Sequence, residues 1–393
     1  MTSEGVQFTW TAEETDFRQE VRQWLRANVP APPISAYAST ADAIGPLRDW
    51  ERKLAEANYN AVSWPVEYGG QGMDAIHATI FYEEYFRAEA PRRLNYPGLG
   101  LLGPTLMAAG TAGQQRALIP RILSCADIWC QGFSEPEAGS DLASLRTTAR
   151  RDGDVYIVNG QKTWSSNGPR ANKMFTLVRT DPLAPKHHGI SYLLIDLASP
   201  GVEVRPIRQV NGASLFAEIF LRDVAVPVGN LVGNENEGWQ VANRTLMIER
   251  NPTESPPQLF RTVFDELAAV VSSGTGEPVA NWPELARLEA LTECYRWNYY
   301  ASATSDRVKD IGKLNSIAKL RGSTLQATLY ETALRYLGDS SERGADGLPS
   351  FLPHDFHERY WHARASLIYA GTNEIQRNMI SERVLGLPRE PRR

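Results

Sequence analysis

Three short segments carry residue types suited to holding a planar, polar, phosphate-bearing ligand. The first, Cys130-Gln131-Gly132-Phe133-Ser134-Glu135-Pro136-Glu137-Ala138-Gly139-Ser140-Asp141, combines hydroxyls, small residues and accessible backbone. The second runs from Asn159 to Gly168 and the third from Tyr369 to Arg377. In the third, Gly371-Thr372-Asn373-Glu374 precedes a helical pattern. The free N–H groups and dipole of a helix N-terminus suit phosphate, and the same residues read equally as an ordinary cap by Thr372 or Asn373. Alone, the first segment is equally a turn-rich connector, Trp164 a half-buried aromatic and Glu249-Arg250 a solvated helical pair. A formal GxGxxG, Gly98 to Gly103, lies between Pro97 and Pro104 in helical surroundings. A dinucleotide fingerprint needs a preceding strand, so this stretch reads as a connector or a close helix contact.

The elements that must position these residues fall into three blocks. Thr11-Ala12-Glu13-Glu14 reads as a capping box, followed by an apolar stripe of Phe17, Val21, Trp24 and Leu25 that ends at Pro30. Leu47, Trp50 and Leu54, then Ile76, Ile80, Phe81 and Tyr85, continue the helical pattern. Val155–Val158 is bracketed by Asp152-Gly153 and Asn159-Gly160, both hairpin-turn dipeptides. Runs at 174–178, 190–195, 202–207 and 216–226 are rich in β-branched and aromatic residues and predict short strands in an antiparallel barrel or sandwich. Helical character returns at Gly238 and continues to Gly386, where a cap glycine precedes Pro388.

With 393 residues the chain is long enough for several cores. A net charge of −5 argues against nucleic-acid binding. No apolar run approaches the ~20 residues of a membrane span, and Met1–Trp10 lacks the signature of a signal peptide. Three cysteines, Cys125, Cys130 and Cys294, make no disulfide framework, and the expected compartment is the cytoplasm. The six histidines show no metal spacing, so no metal is expected.

Taken together, the three segments and the α–β–α order resemble the acyl-CoA dehydrogenase family of flavoenzymes, over essentially the whole chain. The resemblance implies an α+β fold: an N-terminal α-helical domain (1–127), a middle antiparallel β-barrel domain (128–235) and a C-terminal four-helix-bundle domain (236–393). It implies FAD as cofactor, held by Gln131, Phe133, Ser134, Gly139, Ser140, Trp164, Ser166, Thr372 and Glu374. The Phe133 backbone and Ser134 hydroxyl would face the pyrimidine end of the isoalloxazine, where donors stabilise the charge that accompanies hydride uptake. Trp164 would lie beside the ring and Ser166 near N5. Thr372 and Glu374 would contact the adenosine diphosphate part. Ser140, between flavin and thioester, would bind substrate together with Arg250, Ala370 and Gly371. The implied partners are an acyl-CoA, an electron-transferring flavoprotein, and further copies in a homodimer or homotetramer.

One departure bears on the mechanism. Many members carry the catalytic glutamate immediately before the Gly-Thr pair; this chain has Ala370, which cannot take a proton. Other members place the base on an earlier helix, just before an arginine. Glu249-Arg250 stands there, so the resemblance implies Glu249 as base and Arg250 as its orienting partner. Asn251-Pro252 follows, so the helix is expected to end or bend nearby. The usual Arg-x-x-Phe-Gly segment, which reaches a neighbouring subunit's flavin, is replaced by Ser272-Ser273-Gly274-Thr275-Gly276-Glu277-Pro278, and a later glycine-rich stretch by Leu337-Gly338-Asp339-Ser340-Ser341. Similar departures occur in actinobacterial members acting on bulky substrates, some built from two different subunits. The leading expectation is α,β-dehydrogenation of an acyl-CoA to the trans-2-enoyl-CoA. The alternatives are a flavin-sharing or non-catalytic subunit of a heteromer, and a flavin oxidase or hydroxylase on the same fold.

Overall fold

The computed structural model describes residues 9–31, 41–249, 257–272, 282–304, 311–338 and 356–389. Helix α1 (Ala12–Asn28) opens on the expected capping box: Glu14 N–H donates to the Thr11 hydroxyl at 3.1 Å and Thr11 N–H to the Glu14 carboxylate at 2.7 Å. Its stripe of Phe17, Val21 and Leu25 is buried with Trp50 and Leu54 of α2 (Ala41–Glu56) and Ile80 and Phe81 of α3 (Ala75–Arg87). Each such side chain contributes about 1.5–3 kcal/mol on burial. The glycine-rich stretch is a π-helical turn, Pro97–Leu102, running into α4 (Gly103–Ala109), with α5 (Ala112–Leu123) after it. A Cβ on Gly103 would sit 2.3 Å from the Trp64 ring, so close packing explains this glycine.

Eight strands follow: β1 (Trp129–Gly132), β2 (Thr148–Asp152), β3 (Val155–Ser166), β4 (Lys173–Arg179), β5 (Ile190–Asp196), β6 (Val202–Ile207), β7 (Phe216–Pro227) and β8 (Leu231–Val232). They form one open sheet in the order β6-β7-β3-β2-β4-β5-β8, with β1 beside β4. The expected closed antiparallel barrel is therefore corrected. Closure would need β6 to bond β8, but β8 has two residues and β6 presents Glu203, Arg205 and Pro206, residues that blunt an edge. Two pairings are parallel, β1 with β4 and β2 with β4, the latter a single bridge at Thr148–Arg179. Asn159-Gly160 is also not a turn. It is an irregularity inside β3, fixed by two 2.9 Å hydrogen bonds between Asn159 and Asp223. Gly160 has φ +157° there, and a Cβ would meet the Thr147 hydroxyl at 2.4 Å.

Strands β1, β4 and β5 are buried on both faces. Cys130, Met174, Val178, Leu193 and Ile195 pack against Ala217, Ile219 and Leu221 of β7. Trp129, Phe175, Leu177, Tyr192 and Leu194 pack against α4, α5 and α6 (Gly238–Glu249). A second core lies among α7 (Pro257–Ser272), α8 (Trp282–Thr304), α9 (Ile311–Leu337) and α10 (Phe356–Ala365), with α11 (Asn373–Met379) on α9.

Helix α3 joins the two helical blocks through α7 and α8. Glu84 on α3 is buried and accepts from Arg22 (2.8 Å), Arg18 (2.9 Å) and Arg87 (2.5 Å). Glu83 beside it takes Arg18 and the Tyr300 hydroxyl of α8. Burial pushes the Glu84 carboxyl up, but the hydrogen bonds from Arg22 and Arg18 outweigh it and hold the group below its usual 4.5. The stabilising contribution is therefore complete above the ordinary carboxylate range and is lost as pH falls through the lowered folded value. Glu84→Gln is expected to cost about 3 kcal/mol in urea unfolding at neutral pH, because guanidinium groups are left unpaired. The cost should shrink below about pH 4; a pH-independent cost would contradict this account.

Candidate functional site

The first segment leaves β1 and is tied back to the sheet at three successive carbonyls. Gly132 O accepts from the Thr176 hydroxyl (2.5 Å), Phe133 O from Lys162 Nζ (3.3 Å) and Ser134 O from Thr163 N–H (2.9 Å). Glu135 anchors the turn beyond. Its carboxylate accepts from Lys162 (2.7 Å), Arg146 N–H (2.7 Å) and Thr147 N–H (3.0 Å), and its backbone exchanges two 3.0 Å bonds with Ala138. The Phe133 ring stands edge-on to Phe175 and Tyr192, with centroids 5.8 and 5.9 Å away. Among the described residues, the Ser134 N–H and hydroxyl have no hydrogen-bond partner. Gln131 is half-buried on β1, while Gly139 and Ser140 are exposed at the rim.

Lys162 is wholly buried. Burial drives its ammonium down to about 8 against the pull of Glu135. Burial acts to raise the Glu135 carboxyl, and Lys162 with the backbone donors holds it below 4.5, so the two form an ion pair at neutral pH.

The second segment completes the same surface. Beyond Lys162 the β3–β7 register is irregular, and Trp164 takes φ +54° with its indole 58% exposed, edge-on to Phe216 at 6.0 Å. A left-handed non-glycine residue costs of order 1–3 kcal/mol, and such strain clusters at functional sites. Ser165 is buried and its hydroxyl has no partner among the described residues; the half-buried Ser166 hydroxyl likewise makes no bond there. Asn167, also left-handed at φ +67°, ends the strand: its N–H donates to Leu215 O (2.8 Å) and its amide to Leu94 O (2.7 Å).

In the third segment Ala370 and Gly371 are successive left-handed residues, φ +54° and +85°. The buried Gln376 amide donates to both of their carbonyls, at 3.0 and 3.3 Å. The Ala370 and Gly371 N–H groups have no partner among the described residues. The Thr372 hydroxyl accepts from Ile375 N–H (3.2 Å) and caps α11, so the ordinary cap is realised. Asn373 is held by Lys319 Nζ (3.0 Å) and Ser323 (2.9 Å) of α9, while Glu374 is exposed and pairs with Arg377 at 3.2 Å. Segment 92–94 relates this region to the second. Leu94 holds Asn167, and the Arg92 charge, after burial, helps lower both Arg170 (to about 10) and His362 on α10 (to about 3).

Helix α6 is described as far as Glu249, and Arg250 with Asn251-Pro252 lies outside the described residues. So do 273–278 and 339–341 of the two divergent stretches. The helix is fixed to α4 by a buried Thr245–Thr105 hydroxyl contact of 2.9 Å and by Arg244 donating to Ala108 O at 3.2 Å. Partly buried Tyr96, Met107, Leu246 and Ile248 pack against the core that α4 and α6 share. Sequence reasoning missed Lys162, Asn167 and Gln376. The available signal for Lys162 was a charged residue on the inward parity of β3, with Tyr156 and Val158.

These groups fit FAD on the structure's own evidence. Unpartnered N–H and hydroxyl donors at Ser134 and Ser166 suit a ring edge, and an exposed indole held at a strained backbone suits its flank. Sequence profiles for the acyl-CoA dehydrogenase N-terminal, middle and C-terminal domains match residues 11–126, 130–224 and 236–385. Acyl-CoA dehydrogenase IpdE1 of Mycobacterium tuberculosis is 39% identical over 388 residues, covering 95% of this chain and 98% of that protein. The ChsE4-ChsE5 complex from Mycobacterium tuberculosis is similar in structure, with TM-score 0.84 and 30% identity over 98% of this chain and 100% of the matched one. So is the Tcur3481-Tcur3483 steroid ACAD, with TM-score 0.83 and 26% identity over 97% and 99%. The open sheet flanked by two helical blocks, the interlocked segments on it and these full-length matches make the chain a member of the acyl-CoA dehydrogenase family, whose general reaction is FAD-dependent oxidoreduction of acyl-CoA thioesters.

Proposed function

We propose that the chain dehydrogenates an acyl-CoA thioester at its α,β bond, with Glu249 as the base, giving a trans-2-enoyl-CoA. The observation that carries this reading is the pair of donor-rich turns at Ser134 and Ala370, each with carbonyls tied inward and N–H groups left to a ligand. FAD, when bound, supplies the acceptor for the β-hydrogen and its electron pair. Ser134 and Ser166 donate to the isoalloxazine edge. Phe133, packed edge-on against Phe175 and Tyr192, would steady the Ser134 backbone, and Trp164 would shield the ring from water. Gln131, Gly139, Thr372 and Glu374 complete the cofactor contacts. The Ala370 N–H donates to the thioester oxygen as the α-carbon loses its proton to Glu249. Arg250 keeps Glu249 ionised and oriented, and Ser140 and Gly371 border the thioester. An electron-transferring flavoprotein would serve as the acceptor of the two electrons removed from the substrate.

Ring-bearing, bulky acyl groups are the proposed substrate class, supported by the name of the steroid ACAD among the similar structures. Glu249→Gln is expected to leave flavin bound while cutting substrate-driven flavin reduction by at least about 10³-fold, read by stopped-flow bleaching. Reduction at near wild-type rate would sink the assignment of the base.

A second reading, that the chain works beside a related partner subunit, is favoured by two similar structures whose names join two chains. Trp361, Ile368 and Tyr369, 43%, 67% and 44% exposed around the third segment, supply an apolar surface for it. On this reading, co-expression with a related chain raises flavin content and yields one co-eluting complex by native mass. A chain that forms a fully flavinated homo-oligomer alone would rule it out.

A further inference from the structure

Lys162 touches no ligand surface, yet it holds the one peptide on which the ring-edge contact of the first segment depends. The ammonium lies 2.7 Å from Glu135 and 3.3 Å from Phe133 O. In a trans peptide the carbonyl and the next N–H point in opposite directions. Drawing Phe133 O inward to a buried cation therefore turns the Ser134 N–H outward. The flanking carbonyls, Gly132 O and Ser134 O, are tied to Thr176 and Thr163, so the turn is anchored on both sides and a flip of this peptide would break the Lys162 bond. The Ser134 N–H has no partner among the described residues, and its own side chain is half-buried at the surface that Trp164 and Ser166 share. A positive charge behind the carbonyl also polarises the peptide and strengthens the N–H as a donor; inside a protein such a charge acts over several ångströms with little screening.

We infer that Lys162, with Glu135 as its counter-ion, is a positioning residue that sets the reduction potential of bound FAD through the Phe133–Ser134 peptide. The inference rests on the flavin-site reading given above. Reduction places negative charge at the pyrimidine edge of the ring. A fixed, polarised donor aimed there stabilises reduced FAD more than oxidised FAD. Glu135 neutralises the cation, so that a charge can be kept in the core, and its other two bonds, to Arg146 and Thr147 N–H, fix it on the far side of the turn.

The test uses full-length wild type, Lys162→Met, Lys162→Gln and, as a control, Thr176→Val, which cuts the adjacent tie to Gly132 O but leaves the Phe133–Ser134 peptide held. Flavin retention, Tm and the two-electron midpoint potential are measured on each. Lys162→Met is expected to favour reduced over oxidised FAD about tenfold less than wild type, a fall of about 30 mV for a two-electron couple. Lys162→Gln, which can still donate as a neutral amide, should fall by less. Thr176→Val should lower Tm without moving the potential. If Lys162→Met does not fold, Lys162→Gln carries the test with the same sign. An unchanged potential in a folded, FAD-bearing Lys162 variant overturns the inference, as does an equal fall in Thr176→Val, which would mean general loosening. A wild-type chain that takes no FAD, alone and when co-expressed with a related chain, would instead overturn the flavin-site reading itself.

Discussion

A single buried ion pair, Lys162 with Glu135, joins the two segments from which the site is built. Removing two charges from water costs several kcal/mol per ion, and apolar replacements are often as stable. The pair is therefore poor value as a source of stability alone. What it provides is position. Lys162 sits on β3 and Glu135 in the turn after β1, and between them pass the Phe133 carbonyl and the Thr163–Ser134 backbone bond. Strand and turn can then be neither shifted nor rotated independently. The exposed Trp164 and the half-buried Ser166 follow directly on Thr163, whose N–H is bonded to Ser134 O.

That arrangement exists because the sheet is open and its central strands are buried twice. Phe175 and Tyr192 stack at 5.9 Å and present one face to Phe133 and the helices, while Met174 and Leu193 present the other to β7. Both faces of these strands are therefore used, one against β7 and the other as the seat of α4 and α6. The helices pack on β1, β4 and β5, and Tyr96, Met107, Leu246 and Ile248 pack against the same core. The C-terminal block supplies the third segment, where strain at Ala370 is supported by the buried Gln376 amide. The Glu83 and Glu84 cluster on α3 clamps that block to α1.

Much of this was legible in the sequence, and the exceptions have physical causes. The capping box at Thr11, the stripe from Phe17 to Leu25 and the strand runs on β4 to β7 follow local periodicity and chemistry, and the structure has them where expected. Asn159-Gly160 reads as a turn because its residue types favour one, but the pairing of Asn159 with Asp223 on β7 converts it to an irregularity within a strand. That partner is distant in sequence, beyond any local signal. Sheet closure was misjudged for a similar reason: strand count and length suggest a barrel, whereas the short β8 and charged β6 decide against one. Ser134, Trp164 and Thr372 were singled out as candidate site residues from motif resemblance alone. Lys162 and Gln376 were not, because their parts are played behind the surface, through carbonyls that no side-chain pattern reveals.

The central claim is that this chain's own first and second segments form a working flavin cradle. Its most direct test is the flavin content of the folded chain, read from the visible spectrum after denaturation and set against protein concentration. The account predicts about one FAD per chain, retained through gel filtration, because the donors around Ser134 and Ser166 are fixed before any ligand arrives. A folded chain that holds no FAD, alone and in complex with any co-expressed partner, would contradict it.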